Sequence, residues 1–407
     1  MPDALRSAIF LVIVVAALAM APVAPEAGNI LFLACAVSSV LLLRRADIQC
    51  VRYPSVWMPL AGLVALGLAY LITDGGANGL LGLLFVAPLL AMIPAVALAS
   101  RADDLAPSTI GVLALCGAAG GAAVAIVEFA TTGVLRAGES VANPIHFADL
   151  VLSVGFLALL GAVVTRGLGR WLFLLGPVLA TVAVLLSGTR GAVLALVMMG
   201  FVAVLVVLAV RWITLRQLFI GAALLAIALV VTWLIGGDQA SGVQRTMAGV
   251  ADVLRNGIPT DASTSERFQM YEGAYRAFLA SPLVGHGPFA FIEAAGSRAT
   301  VPFEYATHLH SDLANFAASG GVLGLFAYGM FLLTPLVEAL RTRDREKRKG
   351  LVLVSATLVV GFFVMGLTNA MFGILNLTVF YAAATLVVVR VGRSETDVPR
   401  MAEVLRS

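Results

Sequence analysis

Two histidines and an aspartate stand together in the stretch "ATHLHSDLANF", residues 306–316, at the start of an apolar run. His308 and His310 have a spacing that suits metal ligands on an extended chain, but Asp312 is the only obvious third ligand and no second motif completes a set. We therefore predict no metal site. A histidine also has the unperturbed pKa best suited to accept a proton from a hydroxyl near neutral pH. If the segment is helical from Thr307, His308 and Asp312 pair one turn apart, which leaves His310 to act on a substrate.

Several arginines lie beside apolar stretches and could bind an anion. Arg190 lies in "LLSGTRGAVLAL", between two apolar stretches, where a buried guanidinium needs an anionic partner. Arg267 and Arg276 are nine residues apart on one predicted helix and point in opposite directions, about 180° apart, so they do not face one site. Arg136 precedes the stretch "NPIHFADL". Guanidinium groups match phosphate oxygens with paired hydrogen bonds, so these arginines indicate a phosphate-bearing lipid substrate.

Each of these residues also has a simpler interpretation. Arg190 could end a helix and extend its charge to the membrane interface. His146 could bond a neighbouring helix, and His286 in "VGHGPF" is predicted to be a turn residue. Asp149 and Glu128 could pair inside a helix bundle or mark an ion path, as in transporters.

The elements that must position these residues are apolar helices. The 407 residues are 60% hydrophobic and 12% charged, which is typical of a polytopic membrane protein and excludes a soluble domain. Crossing about 30 Å of hydrocarbon takes roughly 20 apolar residues as a helix. We predict an all-α polytopic integral membrane protein with about twelve spans: 8–24, 28–43, 55–73, 78–99, 108–131, 143–164, 171–187, 191–210, 215–236, 311–339, 350–370 and 374–391.

The distribution of positive charge supports this number of spans. One alternating set of connections holds 19 of the 26 Lys and Arg residues, including the run "RTRDREKRK" at residues 341–349, and the other set holds 7. Cytoplasmic loops are enriched in Lys and Arg, so both termini are predicted to be cytoplasmic. Cys35, Cys50 and Cys116 form neither a disulfide framework nor a zinc-type spacing.

One connection is long, residues 237–310, and the charge rule places it outside, between the ninth and tenth spans of a single membrane domain, 1–407. Two amphipathic helices are expected in it. The first covers Ser241 to Gly257, and the second, Ser263 to Ala280, has Phe268, Tyr271, Tyr275 and Phe278 on one face. These helices are predicted to lie on the membrane surface and to form a lid over a cavity.

Three blocks in order resemble the signature of the O-antigen ligase and O-antigen polymerase superfamily of bacterial envelope glycosyltransferases. They are "SGTRGAVLAL", "SERFQMYEGAYRAFLASPLVGHGPFAF" and "HLHSDLANFAASGGVLGLF". The family pattern corresponds here to Ser187–Arg190, to Arg267 with Ser281–Gly287, and to His310 with Gly321 and Gly324. Asn143 and Pro144 resemble the family's Asn-Pro block, whereas Ser311 replaces the usual Asn. The blocks cover roughly residues 136 to 327.

The resemblance implies a GT-C-type glycosyltransferase of lipopolysaccharide biosynthesis in the bacterial inner membrane. Its donor would be an undecaprenyl-pyrophosphate-linked glycan and its acceptor lipid A-core, at the periplasmic face, with inversion and without a metal, cofactor or nucleic acid. His310, Arg190 and Arg267 are the expected catalytic residues. Substrate binding is expected from Arg136, Asn143, His146, His308 and Asp312.

Three other functions fit parts of the sequence. An O-antigen polymerase and a protein O-oligosaccharyltransferase share the arginine and histidine blocks and differ in the acceptor. A secondary transporter would use Glu128 and Asp149 as coupling residues. Against the transporter, the sequence has no internal repeat of helices broken by Gly or Pro, and its polar residues concentrate at the predicted outer face.

Overall fold

The computed structural model describes residues 2–102, 105–133, 136–209, 262–303 and 306–393, and six isolated positions between 223 and 255. Every regular element in these residues is helical. The α-helices are α1 (Pro2–Val14), α2 (Pro25–Ser38), α3 (Pro54–Thr73), α4 (Ala87–Ala99), α5 (Pro107–Thr132), α6 (Pro144–Leu157), α7 (Leu159–Val164), α8 (Leu175–Ser187), α9 (Arg190–Ala209), α10 (Ala262–Ala280), α11 (Gly287–Gly296), α12 (Asp312–Leu340), α13 (Arg345–Met365) and α14 (Leu375–Gly392). A π-helical turn, Val15–Met20, extends α1, and 3-10 segments cover Ser39–Leu42, Arg45–Arg52, Ala77–Val86 and Leu168–Leu174.

Ten helical stretches in the described residues are long and apolar enough to cross a membrane, and each coincides with a predicted span. The predicted span 8–24 corresponds to the shorter apolar helix Ala4–Met20. The predicted span 215–236 and the predicted loop helix Ser241 to Gly257 lie outside the described residues, apart from the six isolated positions. The polytopic all-α class is confirmed, and the number twelve stays a prediction.

Local sequence explains where these helices begin and end. Proline occupies the first helical position of several of them, where no amide donor is needed; these are α2, α3, α5 and α6. Asn143 caps α6 by accepting a hydrogen bond from the Ile145 amide at 2.9 Å. Gly188 ends α8 in a left-handed conformation, with φ 62°, which a residue with a side chain rarely adopts.

The connections between helices meet at two ends of the bundle, as the alternating spans require. At one end, Arg6 and Arg101 both bind the buried carboxylate of Asp47, Arg101 at 2.7 Å. At the same end, Glu338 accepts from the Ser55 amide at 3.0 Å and from Arg393 Nε at 2.9 Å. All of these arginines belong to the predicted cytoplasmic set. The other end, here called the site end, gathers the predicted outer connections.

The helix α12 is broken near the site end. Gly321 has φ 59° and ψ −143° inside it, which interrupts its backbone hydrogen bonds. The turn Pro282–His286 replaces them: Val322 N donates to Pro282 O at 2.8 Å, and His286 N donates to Ala318 O at 2.9 Å. Broken helices are tolerated in membranes where neighbouring backbone satisfies the freed groups. The break thus docks the connection between α10 and α11 onto α12.

The face of α10 that packs on the protein is formed by small residues. Its buried residues are Met270, Gly273, Ala274 and Ala277, whereas the side chains of Phe268 and Tyr275 are exposed. The small residues allow close approach, because a Cβ added to Gly273 would overlap the carbonyl oxygen of Ala295 in α11. Small residues let the two helices pack backbone to backbone.

Candidate functional site

The first block of the site is the corner between α8 and α9. The Ser187 hydroxyl lies 3.0 Å from Thr189 Oγ1, which in turn donates to Pro144 O at 3.3 Å at the start of α6. Both residues are buried. Ala137 N also donates to Leu186 O at 3.2 Å. These hydrogen bonds hold the corner in place and so fix the position of Arg190, the first residue of α9.

Arg190 extends from this corner to the amphipathic helix α10. Its side chain is half-buried, and Nη1 lies 3.2 Å from Thr264 Oγ1. Thr264, Arg267 and Tyr271 are spaced three and four residues apart, so they share one face of α10. Among the described residues, Arg267 has no hydrogen bond or ion pair, so its donors are open to a ligand.

Arg276 faces away from this site, as its position on the helix predicts. Its guanidinium binds Glu272 at 2.7 Å and donates to Arg298 O at 3.0 Å. Glu272 also accepts from the hydroxyl of Thr300, at 2.7 Å, and from its amide. These hydrogen bonds lower the pKa of Glu272. The network is exposed, and it joins α10 to the end of α11.

The segment that carries the histidines is irregular, and α12 begins only at Asp312. The His310 amide donates to His308 Nδ1 at 3.1 Å, and the two rings pack edge to face with centroids 4.2 Å apart. The predicted pairing of His308 with Asp312 was therefore wrong. It assumed a helix from Thr307, whereas Ser311 caps α12 and the residues before it are not helical.

His310 has a left-handed backbone, with φ 49°, the one such non-glycine residue among those described. This conformation costs a residue with a side chain on the order of 1–3 kcal/mol and persists only where its surroundings hold it. Tyr271 Oη lies 3.1 Å from His310 O. Within the described chain, the buried Nδ1 of the His310 ring has no hydrogen-bond partner. The orientation of the His310 ring is therefore set by the backbone of that residue.

Burial and neighbouring charges keep the site histidines neutral. Burial is the main cause that lowers the pKa of His310 to about 4, and His308, Arg267 and His146 lower it further. Burial, and then Arg267, also lower the pKa of His308. Burial raises the pKa of Tyr271, and the charge of Arg267 opposes it. The predicted residues His146, His308, His310 and Arg267 therefore lie within electrostatic range of one another.

Asp312 does not point toward these histidines. It is fully buried, its amide donates to Gly366 O at 2.7 Å, and its carboxylate accepts from the Phe372 amide at 3.2 Å. Its contacts anchor the start of α12 to the loop Gly366–Ile374, here called the hub loop. The proposed substrate-binding role of Asp312 stays a prediction that these contacts do not favour.

The hub loop contacts α6, α9, α10 and the start of α12. Leu367 O lies 3.0 Å from Tyr271 Oη, and Asn369 Nδ2 donates to Asp149 Oδ2 at 2.9 Å. A Cβ added to Gly191, the residue after Arg190, would clash with Thr368 Oγ1. The ring of Phe372 holds the loop in the bundle by packing against four aromatic rings, those of Tyr328, Phe331, Phe362 and Tyr381.

The remaining predicted residues lie at the edge of the site. Glu128 accepts from the amides of Gly138 and Ser140, the latter at 2.8 Å, and so holds the loop that carries Arg136. Arg136 is exposed, and Asn143 is exposed and serves as the cap of α6. Glu128 and Asp149 therefore have separate partners and do not pair with each other.

Sequence reasoning missed the hub loop, Thr264 and the contacts of Tyr271. The only signal for the loop was the pair Thr368-Asn369 at the end of a predicted span, and polar residues at span ends are common. His286 is confirmed as a turn residue, with its ring Nε2 2.8 Å from Ala277 O. Among the described residues, no group of three or more His, Cys, Asp or Glu side chains could hold a metal ion.

The fold and the site define a polytopic membrane protein with basic and histidine side chains gathered at one end of its helix bundle, under an amphipathic helix. The family model described as O-antigen ligase matches residues 174–329, so this part of the chain is similar to that family. The matched segment contains Arg190, Arg267, His310 and the break at Gly321. No curated protein matches the chain.

Proposed function

We propose that the protein transfers O-antigen polysaccharide from undecaprenyl pyrophosphate to lipid A-core at the periplasmic face of the inner membrane. The observation that carries the proposal is the convergence of Arg190, Arg267 and His310, from three separate sequence blocks, at one end of the bundle. An enzyme that cleaves a sugar–pyrophosphate bond needs cations for the leaving group and a base for the acceptor, and this site supplies both.

Arg267 and Arg190 hold the donor. The guanidinium of Arg267, which has no partner among the described residues, binds the pyrophosphate. Arg190 binds it from the corner of α8 and α9, with Arg136 at the edge. As the anomeric C–O bond breaks, the electron pair stays on the pyrophosphate oxygen. Fixed guanidinium groups stabilise that charge without reorganising. Undecaprenyl pyrophosphate is the leaving product, and no metal ion is required for this step.

His310 serves the acceptor. The neutral imidazole accepts a hydrogen bond from the acceptor hydroxyl, and the hydroxyl oxygen attacks the anomeric carbon from the side opposite the pyrophosphate, which inverts the configuration. The hydroxyl proton passes to the imidazole and then to water. A pKa of about 4 makes the free imidazole a weak base. The bound pyrophosphate carries negative charge beside it and raises its pKa, so the base gains strength once the donor is in place.

Alanine substitutions of Arg190, Arg267 and His310 test this proposal. Each variant is expected to lose at least about 100-fold in transfer, because it removes charge stabilisation or the proton acceptor. The measurement uses purified protein in liposomes with the undecaprenyl-linked glycan and lipid A-core. Arg276→Ala is the matched control on α10, since Arg276 faces away from the site. Full transfer by His310→Ala or Arg190→Ala would overturn the assignment.

The acceptor separates this function from the alternatives. The same reconstituted system is supplied with lipid A-core, with a second undecaprenyl-linked repeat, or with a protein hydroxyl acceptor. Transfer to lipid A-core alone supports the ligase, and growth of the undecaprenyl-linked chain identifies a polymerase. The transporter is not favoured, because Glu128 caps a loop and Asp149 is bonded to Asn369.

A further inference from the structure

Tyr271 is the residue through which three parts of the site meet. It lies on α10, four residues after Arg267, and its side chain is half-buried. Its hydroxyl oxygen lies 3.1 Å from His310 O and 3.0 Å from Leu367 O. A phenol has a single O–H donor, which these two carbonyl oxygens share. The Tyr271 hydroxyl therefore connects α10 with the histidine segment and with the hub loop.

The backbone of His310 depends on contacts of this kind. Its amide is bonded to the ring of His308 and its carbonyl to Tyr271, so both of its backbone polar groups are held by side chains. Its positive φ is a conformation that a residue with a side chain leaves when such contacts are removed. The direction of the imidazole follows from this backbone, because its buried Nδ1 has no partner in the described chain.

We propose that Tyr271 is a positioning residue, whose hydroxyl holds the backbone of His310 and thereby aims its imidazole when α10 is seated on the hub loop. This rests on the proposed function for the role of His310. It adds a group that touches neither substrate in the proposed reaction. It also couples the seating of Arg267, one turn away on α10, to the geometry of the histidine.

The test is Tyr271→Phe, which removes the hydroxyl and keeps the ring. Displacing a catalytic group by about 1 Å costs on the order of 100-fold in rate, so we expect kcat to fall roughly 10- to 100-fold. The KM for the donor should stay within about twofold of wild type, because Arg190 and Arg267 remain. Tyr275→Phe is the matched control, since it deletes the same hydroxyl one turn further along α10, where the side chain is 63% exposed.

A second measurement reads the same coupling without any substrate. The chain has four histidines, so imidazole resonances of labelled histidine in lipid nanodiscs can be assigned by single substitutions. The charged and titratable groups that act on the His310 ring are His308 on its own segment, Arg267 on α10 and His146 on α6, and Tyr271 on α10 contacts its carbonyl. The carboxyl groups of Asp149 and Asp312 are bonded to the hub loop, which has no titratable residue of its own. Since burial is the main cause that lowers the pKa of His310, Tyr271→Phe should release the ring and raise its pKa toward the ordinary value.

The outcomes separate this inference from the proposed function. A wild-type kcat and an unchanged His310 titration in Tyr271→Phe would overturn the role of Tyr271 and leave the ligase proposal intact. A parallel rise in donor KM, with no change in the titration, would also overturn it, because that result describes a general loss of folding at α10. Full transfer by His310→Ala would instead overturn the ligase proposal, while the resonance experiment would still report on the coupling of Tyr271 to His310.

Discussion

His310 is held in place by its backbone, and its ring faces cationic and neutral basic groups instead of a carboxylate. Many catalytic histidines are oriented by a carboxylate that also stabilises the protonated ring. Here the surrounding groups are Arg267, His308 and His146, which all oppose protonation. Such an environment suits a reaction whose donor supplies the negative charge. In the proposed reaction, the protonation of His310 is linked to the binding of the pyrophosphate.

The pH dependence of transfer tests this link. The form of His310 that accepts the hydroxyl proton is the neutral imidazole. Because the pKa of His310 is lowered, its imidazole stays neutral down to lower pH. We therefore expect His310 to be in its active form throughout the neutral range. The acid limb of kcat/KM should lie near pH 4, the pKa of His310 in free enzyme. The acid limb of kcat should lie at higher pH, because bound pyrophosphate raises that pKa. A pyrophosphate diester has no ionisation near neutral pH that would mimic this shift. Coincident limbs, or a limb of kcat/KM near 6.5, would contradict the interpretation.

Residue types predicted the arginine and histidine residues of the site, but not the hydrogen bonds and backbone conformations that hold them in place. Arg190, Arg267 and His310 come together as the spacing and the resemblance implied, and Arg276 faces away as the helical period implied. Asp312 was misjudged because its partner, the Phe372 amide, lies 60 residues along the chain. Main-chain partners at such separations have no sequence signature. The left-handed backbone of His310 was equally invisible, since no rule assigns that conformation to a histidine in "HLHS".

At the scale of elements, the break in α12 determines where along the helix bundle α10 and α11 dock. The turn Pro282–His286 lies beside the break at Gly321, and Gly287 lies against Thr73 at the site end of α3. The exposed side chains of Leu279, Leu283 and Phe289 are therefore level with the end of a 20-residue span. Apolar side chains at that level suit the boundary between headgroups and acyl chains. The helix α10 is thus docked near α12 through the turn that follows it, and we expect its exposed apolar side chains to contact the membrane surface.

Gly321→Ala tests the importance of this break. A Cβ at residue 321 would lie 2.5 Å from Leu283 C and 2.6 Å from Pro282 O, and the left-handed φ adds strain. We expect a loss of at least about 1–3 kcal/mol in stability, together with loss of transfer, because the turn can no longer dock. Gly329→Ala is the matched control in the same helix, since no atom lies within 4 Å of its added Cβ. Thermal unfolding in detergent measures both variants. Equal unfolding temperatures would contradict the prediction.

At the scale of the whole molecule, buried charge is divided between the two ends of the bundle. The end opposite the site holds paired charges, with Asp47 between Arg6 and Arg101, and Glu338 against Arg393. Removing one partner of a buried ion pair typically costs about 3–5 kcal/mol. The Asp47 pairs connect α1 with the segments before α3 and after α4, and Glu338 connects α12 with the end of α14 and the start of α3. At the site end, the proposed counter-charge of Arg267 comes with the substrate. Stability and substrate binding thus use the same kind of residue at opposite ends.

Most of this architecture could be predicted from the sequence, because the lengths of the apolar segments and the uneven distribution of Lys and Arg between connections can be read directly from it.

The same distribution predicts the orientation of the protein. The end with Arg6, Arg101 and Arg393 belongs to the set of connections rich in Lys and Arg and should face the cytoplasm. In a variant that lacks the three native cysteines, Glu139→Cys lies at the site end and Arg345→Cys at the other, both at exposed positions. A membrane-impermeant maleimide applied to spheroplasts should label Glu139→Cys at once and Arg345→Cys only after lysis. The reverse labelling would put the arginines and His310 in the cytoplasm, where the polysaccharide donor of a periplasmic ligase is absent, and would contradict both the topology and the proposed reaction.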